Sequence, residues 1–185
     1  MDRLGTLDWV PALDRPDLVG APVATALSAL RPSEAAAGVL VAGIDPELAD
    51  TAEFCAAYDV PLDVSANCVV LAARRSGSSQ LAACVVLATT RADVNGVARR
   101  RLEARKASFA PMDVAVAESG MDYGGITPVG LPPGWPLLLD RAVVETDQVI
   151  VGSGLRCSKL ALAGRWLEDL PGARVVDGLG LPVDR

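Results

Sequence analysis

The stretch NCVVLAARRSGSSQLAACVVLAT, residues 67–89, says most about the fold. Two apolar runs, 67–75 and 80–89, flank the four residues SGSS, and this pattern predicts a β-hairpin. Successive positions in both runs are apolar, so both faces of each strand are expected to be covered by other parts of the chain. The sequence therefore predicts that this hairpin lies in the centre of a sheet.

Other elements are predicted on either side of the hairpin. Upstream, the pattern predicts a helix over 21–30 that ends at Arg31-Pro32, and a buried strand over 38–45. Asp45 is expected to cap a helix that begins at Pro46 and continues to residue 59. Downstream, helices are predicted over 93–106, over 111–119 and over 164–170, and short strands over 135–140, 148–154, 159–163 and 173–177.

The order of these elements predicts the fold class. Because hairpins and helices alternate without a regular βαβ order, we expect an α+β fold with a mixed, mostly antiparallel central sheet flanked by helices. A chain of 185 residues is long enough for one core. We therefore expect an irregular N-terminal lead-in over residues 1–20 and a single domain over residues 21–185.

The composition excludes several kinds of chemistry. The chain has no histidine, which excludes Ser-His-Asp and Cys-His catalysis and every histidine metal site. Its four cysteines form no CxxC pair, so neither structural zinc nor a disulfide framework is expected. No apolar run approaches the roughly 20 residues that span a bilayer, and the first residues lack the pattern of a secretion signal. These features indicate a cytoplasmic protein without contact to a membrane.

The charge is unevenly distributed. The formal net charge is −6, but residues 91–106 carry six basic and two acidic side chains. Arg99, Arg100 and Arg101 are consecutive on a predicted helix, and Arg105 shares a face with Arg101. Two interpretations remain open, a solvated helix or a small basic patch that contacts the phosphate backbone of RNA.

Two glycine-containing segments follow. The loop GMDYGGITPVGLP, residues 120–132, holds four glycines and no side chain that is an obvious catalyst. The segment GSG, residues 152–154, follows a predicted strand as a dinucleotide-binding loop would. However, the third glycine of that motif is missing and a strand is predicted to follow, so a dinucleotide site is not expected.

Together these segments resemble the YbaK/prolyl-tRNA-editing family of aminoacyl-tRNA deacylases over roughly residues 45–178. The resemblance rests on the hairpin, on TRADVNGVARRRLEARKASFAPMD, on GMDYGGITPVGL and on QVIVGSGLRCSKLAL. The family's loop reads close to TGYxxGGVSPFG. Six residues here match that pattern, namely Gly124, Gly125, Ile126, Thr127, Pro128 and Gly130.

The resemblance implies a pocket with two glycine-containing walls. One wall would be Gly124, Gly125, Ile126, Thr127 and Pro128, and the other Gly152, Ser153 and Gly154. The 3′-terminal adenosine of a charged tRNA and its aminoacyl group would lie between them. A backbone N–H of the loop, with Gly125 as its central residue, would stabilise the developing oxyanion. No cofactor and no metal are implied. The implied partners are the acceptor end of an aminoacyl-tRNA and an aminoacyl-tRNA synthetase.

The sequence departs from the family pattern on the first strand of the hairpin. Asn67 stands where the family has a lysine, and its uncharged amide forms weaker hydrogen bonds than an ammonium group. Lys159 is one of only two lysines, beside Lys106, and follows the GSG segment. Two interpretations of Lys159 are open, a cation that replaces the missing one or a surface lysine. Cys68 and Cys84 are interpreted as inert buried residues.

Two functions are consistent with this pattern. The first is a trans-editing deacylase that hydrolyses the ester of a mischarged aminoacyl-tRNA, with Asn67, Gly125 and Lys159 as catalytic residues. The second is a catalytically impaired module that binds aminoacyl-tRNA ends or small amino-acid derivatives. The glycine loop favours both equally, Asn67 favours the second, and a correctly placed Lys159 favours the first.

Overall fold

The computed structural model of the chain describes residues 4–29, 38–75 and 77–183. The predicted helix end at Arg31-Pro32 lies outside these residues.

Eleven strands lie in the described part of the chain. They are β1 (Val10–Pro11), β2 (Leu40–Gly43), β3 (Ala66–Arg75), β4 (Ser78–Leu87), β5 (Thr90–Ala92), β6 (Lys106–Phe109), β7 (Leu137–Asp140), β8 (Val149–Gly152), β9 (Ser158–Leu162), β10 (Ala173–Val176) and β11 (Gly180–Pro182). The α-helices are α1 (Ala21–Ala29), α2 (Thr51–Ala57), α3 (Arg99–Arg101), α4 (Met112–Ser119) and α5 (Arg141–Val144). A π-helical turn covers Val94–Ala98, and 3₁₀ turns cover Ala12–Asp14, Pro16–Leu18, Pro46–Leu48, Leu62–Val64 and Gly164–Asp169.

The strands form three sheets of mixed direction. The largest has the order β10-β7-β4-β3-β6, the second β1-β2-β9-β8, and the third pairs β11 with β5. Only the pairs β10–β7 and β7–β4 are parallel within the described residues. The predicted hairpin is confirmed as β3 and β4, with Ala66 opposite Leu87 and Arg75 opposite Ser78. The predicted α+β class with a mixed, mostly antiparallel sheet is therefore confirmed.

Three apolar cores hold the sheets in place. The largest lies between the two larger sheets and includes Val85 of β4 and Leu160 of β9. A second covers the other face of the five-stranded sheet, where Leu102 packs under the segment that contains α3. A third lies between α2 and the other face of the four-stranded sheet, around Phe54 and Ile150. Burial on both sides explains why the strands are apolar at successive positions.

The predicted helix over 93–106 is wrong in its second half. Asp93 caps its start, because its carboxylate accepts hydrogen bonds from the N–H groups of Gly96 and Val97. The helix ends after Arg101, and Glu103 adopts a left-handed φ of 52° that turns the chain. The chain then continues as β6, which pairs with β3 at the edge of the sheet.

The helix predicted over 46–59 consists of two shorter pieces. Asp45 caps the first piece as predicted, since its Oδ1 lies 2.9 Å from the N–H of Glu47. This piece is the 3₁₀ turn Pro46–Leu48, and α2 begins only at Thr51. Asp50 lies directly before α2 and lines a cavity between the two larger sheets.

Candidate active site

One cavity of about 550 Å³ lies where the two larger sheets meet. Its lining comes from the start of β3, the residues before and at the start of α2, β5, the segment from the end of β6 into α4, the loop after α4, and the ends of β8 and β9. Residues far apart in the sequence are thereby brought together, because β3 and β8 lie in different sheets that share one core.

Five of the ten predicted pocket residues line this cavity. They are Asn67, Gly124, Ile126, Gly152 and Lys159. The other five, Gly125, Thr127, Pro128, Ser153 and Gly154, lie behind the lining that the described residues form, and all of them are buried. The structure therefore joins the hairpin, the loop and Lys159 at one place, and it divides the two predicted walls into lining and supporting residues.

The two glycine-containing segments contact each other directly. The Gly154 N–H donates to the Gly125 carbonyl at 2.8 Å, and the Asp122 N–H donates to the Gly154 carbonyl at 3.0 Å. A Cβ atom at Gly152 would lie 2.4 Å from the Gly125 carbonyl oxygen. Both segments therefore form one wall, whereas the sequence predicted two walls with the substrate between them. The glycines are needed here because two backbones approach too closely for any side chain.

This packing uses the amide that the sequence assigned to the oxyanion. The Gly125 N–H donates to the Asp122 carbonyl at 2.9 Å and closes a turn. Gly124 and Ile126, on either side, do line the cavity. Within the described part of the chain, neither of their N–H groups has a hydrogen-bond partner. The available backbone donors are therefore those of Gly124 and Ile126, which corrects the prediction for Gly125.

Among the supporting residues, Ser153 holds its own turn through its hydroxyl. The Ser153 hydroxyl lies 2.7 Å from the hydroxyl of Ser158, and both side chains are buried. Thr127 is fully buried, and its Oγ1 is the one buried side-chain nitrogen or oxygen among the described residues without a partner. Pro128 is buried beside it. These residues do not reach the cavity lining.

Asn67 faces the cavity from β3 and is held by α2. The Thr51 hydroxyl donates to Asn67 Oδ1 at 2.6 Å. The Asn67 amide nitrogen has no partner among the described residues, so its two N–H groups remain available to a ligand. The site thus has a neutral donor at the position where the family pattern has a lysine.

Lys159 lies deeper in the same cavity and is only 7% exposed. Its Nζ donates to the Ala49 carbonyl at 2.8 Å and lies 5.2 Å from the centre of the Phe54 ring. Burial lowers the pKa of Lys159 to about 8, against the opposite effects of Cys55 and Asp50. At neutral pH the group is therefore mostly a buried ammonium, without a direct carboxylate contact in the described residues. Its interpretation as a surface lysine is wrong.

The thiols near the cavity are not activated. Cys68 lines the cavity, and burial, with a smaller effect of Cys84, raises the pKa of its thiol far above the ordinary value. Burial also raises the pKa of Cys84 to about 12. Both residues are protonated at neutral pH, which agrees with the interpretation of inert thiols.

The predicted arginine patch lies outside the cavity lining. Arg99, Arg100 and Arg101 form α3, and the Arg99 Nε donates to the Asn95 carbonyl at 2.8 Å. Arg105 follows, exposed to solvent. Arg91 of β5, by contrast, does line the cavity.

The sequence did not predict the apolar rim of the cavity. Phe109, Met112 and Tyr123 line it, although their side chains are 62%, 57% and 58% exposed. Exposed aromatic faces suit stacking on a nucleobase. The chain has only two tyrosines and two phenylalanines, so an aromatic residue within the glycine loop was an available signal.

Two features are absent from the described residues. No group of three or more histidine, cysteine or carboxylate side chains among them could hold a metal ion. No helix formed by them has both the length and the apolar character that crossing a bilayer requires.

Solved structures with the same fold are numerous at low sequence identity. One is a candidate trans-editing enzyme for prolyl-tRNA synthetase, with a TM-score of 0.70 and 20% identity over 84% of this chain and 93% of that one. A scaffold protein used for computational epitope grafting has a TM-score of 0.70 and 21% identity, over 85% and 95%. A protein described only as hypothetical has a TM-score of 0.67 and 21% identity, over 76% and 90%. At these identities the likeness shows the fold alone.

None of the curated proteins compared with the chain matches it. A family model described as the aminoacyl-tRNA editing domain matches residues 45–170, which is well over half of the chain. That span contains the hairpin, the glycine loop and Lys159, the elements that form the cavity. The chain belongs to the aminoacyl-tRNA editing domain family.

Proposed function

We propose that this protein is a trans-editing deacylase that hydrolyses the ester bond of a mischarged aminoacyl-tRNA. The observation that carries the proposal is the buried Lys159 ammonium in the cavity formed by Asn67 and the glycine loop. Burying a cation without a carboxylate partner is costly to a fold, and such a group is expected where it serves a ligand. Membership of the aminoacyl-tRNA editing domain family supports the same function.

The reaction needs no titratable base from the protein. A water oxygen forms a bond to the ester carbonyl carbon, and the carbonyl oxygen becomes an oxyanion. The bond from that carbon to the ribose oxygen then breaks, and the proton lost by the water passes to the ribose oxygen through the neighbouring 2′-hydroxyl. The free amino acid and an uncharged tRNA are the products.

The residues of the cavity would act on the charges of this reaction. We assign the N–H groups of Gly124 and Ile126 to the oxyanion, since these are the unpaired loop donors of the lining. Lys159 would stabilise the same negative charge from the floor of the cavity. The amide nitrogen of Asn67 would donate to a ribose hydroxyl, and the rim of Phe109 and Tyr123 would contact the terminal base.

The proposed partners and location follow from this activity. The substrate would be the acceptor end of an aminoacyl-tRNA, and an aminoacyl-tRNA synthetase would be a second partner, since it releases the mischarged product. Both are found in the cytoplasm, where we expect the protein to act. The proposed hydrolysis requires no cofactor.

One observation favours the second candidate function, a module that binds aminoacyl-tRNA ends without turnover. Asn67 is uncharged and tied to Thr51, so the lysine of the family pattern has no equivalent on β3. The two functions differ in turnover alone, because both keep the same cavity.

The proposal is tested with a panel of mischarged tRNAs. The panel includes the proline tRNA charged with alanine and the same tRNA charged with cysteine. We expect the purified protein to release the amino acid from at least one member and to leave correctly charged Pro-tRNA intact. Loss of the label from acid-precipitable tRNA measures the reaction. Binding of the panel without release would favour the module, and neither binding nor release would contradict both functions.

The arginine patch remains a prediction of its own. If Arg99, Arg100, Arg101 and Arg105 contact the RNA backbone, replacing all four with glutamine should weaken tRNA binding and flatten its dependence on salt. Each phosphate contact removed is expected to reduce the slope of log K against log salt by about 0.7–0.9. Binding measured at several salt concentrations gives this slope, and an unchanged slope would identify a solvated helix.

A further inference from the structure

Arg156, which was not selected from the sequence, lies against three residues of the cavity lining. Its Cζ lies 6.0 Å from the centre of the Tyr123 ring, and its Nη1 lies 3.4 Å from Asp50 Oδ1. A Cβ atom at Gly124 would lie 2.3 Å from the same Nη1, so the guanidinium rests directly on the loop backbone. Asp50, Tyr123 and Gly124 all line the cavity, so the guanidinium lies beside its mouth, although Arg156 is not itself a lining residue.

The backbone of Arg156 is fixed at the same place. Its N–H donates to Asp122 Oδ2 at 3.2 Å, and Asp122 belongs to the turn that supports the glycine loop. The side chain is thus attached to the supporting layer at one end and to the cavity rim at the other. Such a side chain is directed toward the cavity before any ligand arrives, which lowers the entropy lost on binding.

Asp50 is engaged by Arg156 instead of by its own helix. It occupies the N-cap position of α2, where an aspartate ordinarily accepts hydrogen bonds from the first N–H groups. Here its side chain makes no capping hydrogen bond, and its carboxylate faces Arg156. The carboxylate therefore holds the guanidinium at the mouth at the expense of the usual cap.

This ion pair is easily exchanged for another anion. It consists of a single contact at 3.4 Å between side chains that are 31% and 62% exposed. Exposed pairs of this kind contribute little to stability. A guanidinium carries five N–H donors, and in the described residues only one of its nitrogens contacts a carboxylate. The planar group can therefore offer two parallel N–H bonds to a tetrahedral anion without leaving Tyr123.

We propose that Arg156 binds the phosphodiester group that precedes the terminal adenosine of the substrate. This inference rests on the proposed function and adds a binding residue to the same site. Lys159 is the deeper cation at 7% exposed, whereas the Arg156 side chain beside the mouth is 31% exposed. Arg91, the other cation of the lining, is exposed on β5. The reacting ester would lie beside Lys159, and the phosphate one nucleotide away would meet Arg156.

The trinucleotide CCA is a suitable probe, because its last internucleotide linkage can be made as an uncharged methylphosphonate. We would titrate both forms against the protein by NMR and measure Kd. For the wild-type protein we expect the methylphosphonate to bind about tenfold more weakly, the order of one charge-assisted hydrogen-bonded contact. The Arg156→Gln variant should bind the natural trinucleotide about tenfold more weakly than the wild-type protein does. Its Kd values for the natural and the methylphosphonate forms should be equal.

Controls separate this inference from the proposed function. Arg165 is an exposed arginine outside the cavity lining, so Arg165→Gln should behave as the wild type. If Arg156→Gln still distinguishes the two probes while Lys159→Gln does not, the phosphate lies at Lys159 and the inference is wrong, although the proposed function stands. If the wild-type protein binds neither probe, the inference is contradicted, whereas the proposed function is tested by the panel of mischarged tRNAs.

Discussion

Replacing Lys159 with methionine is expected to lower the single-turnover rate of deacylation by about 10²–10³-fold, the loss that follows removal of one preorganised charge-stabilising group. The side chain is almost fully buried and lines the cavity, whereas Arg91, the other lining cation of the described residues, is exposed. Methionine has a similar length and volume, which leaves the shape of the cavity floor nearly unchanged.

The same substitution is expected to raise the free energy of unfolding. Because burial lowers the pKa of Lys159 to about 8, the folded state binds this proton more weakly than the unfolded state. At pH 7 the folded state therefore bears the whole cost of a buried ammonium, and this cost disappears as pH rises from about 8 to the ordinary lysine range. Loss of the hydrogen bond to Ala49 offsets part of the gain. We therefore expect the free energy of unfolding to rise by about 1–2 kcal/mol at pH 7.

Lys106 provides a matched control, because it is the only other lysine of the chain and is exposed on β6. Lys106→Met should leave both the rate and the stability unchanged. Unfolding in urea and deacylation of the reactive member of the tRNA panel measure the two quantities. A Lys159→Met protein that is less stable and fully active would show that the lysine has a structural role only.

The hairpin could be predicted from the sequence because its signal is local. Two long apolar runs around SGSS allow few other structures, and β3 and β4 pair in the expected place. The helix over 93–106 was predicted too long because its end is set by a contact with a distant part of the chain. The residues after Arg101 keep a composition compatible with a helix, and only the pairing of β6 with the edge of the sheet extends the chain there.

The candidate site was predicted in part. Asn67, Lys159 and the glycine loop were selected from a family pattern, and the structure places them around one cavity. The function of each glycine could not be predicted, because the contact between Gly152 and the Gly125 carbonyl depends on how two distant segments pack. Arg156 and Asp50 were missed for the same reason, since their ion pair joins residues 106 positions apart.

The central claim is that the Lys159 ammonium stabilises the negative charge of the reaction. The pH dependence of the rate advantage that Lys159 provides tests this claim most directly. The quantity to measure is the ratio of kcat/KM between wild type and Lys159→Met on one mischarged tRNA, from pH 6 to 10. The spontaneous hydrolysis of the ester, measured without protein at each pH, is subtracted from both rates, and the ratio then cancels the titration of the substrate's own amino group. Both proteins must remain folded across the range, which circular dichroism can verify.

We expect this ratio to be constant and large at low pH, where Lys159 is protonated. It should then fall as pH rises through about 8, because the pKa of Lys159 in the free protein is lowered to that value by burial. Above this pH the protonated fraction, and with it the advantage of the wild-type protein, should decline about tenfold per pH unit. A ratio that rises with pH, or that stays flat across the range, would contradict catalysis by the Lys159 ammonium.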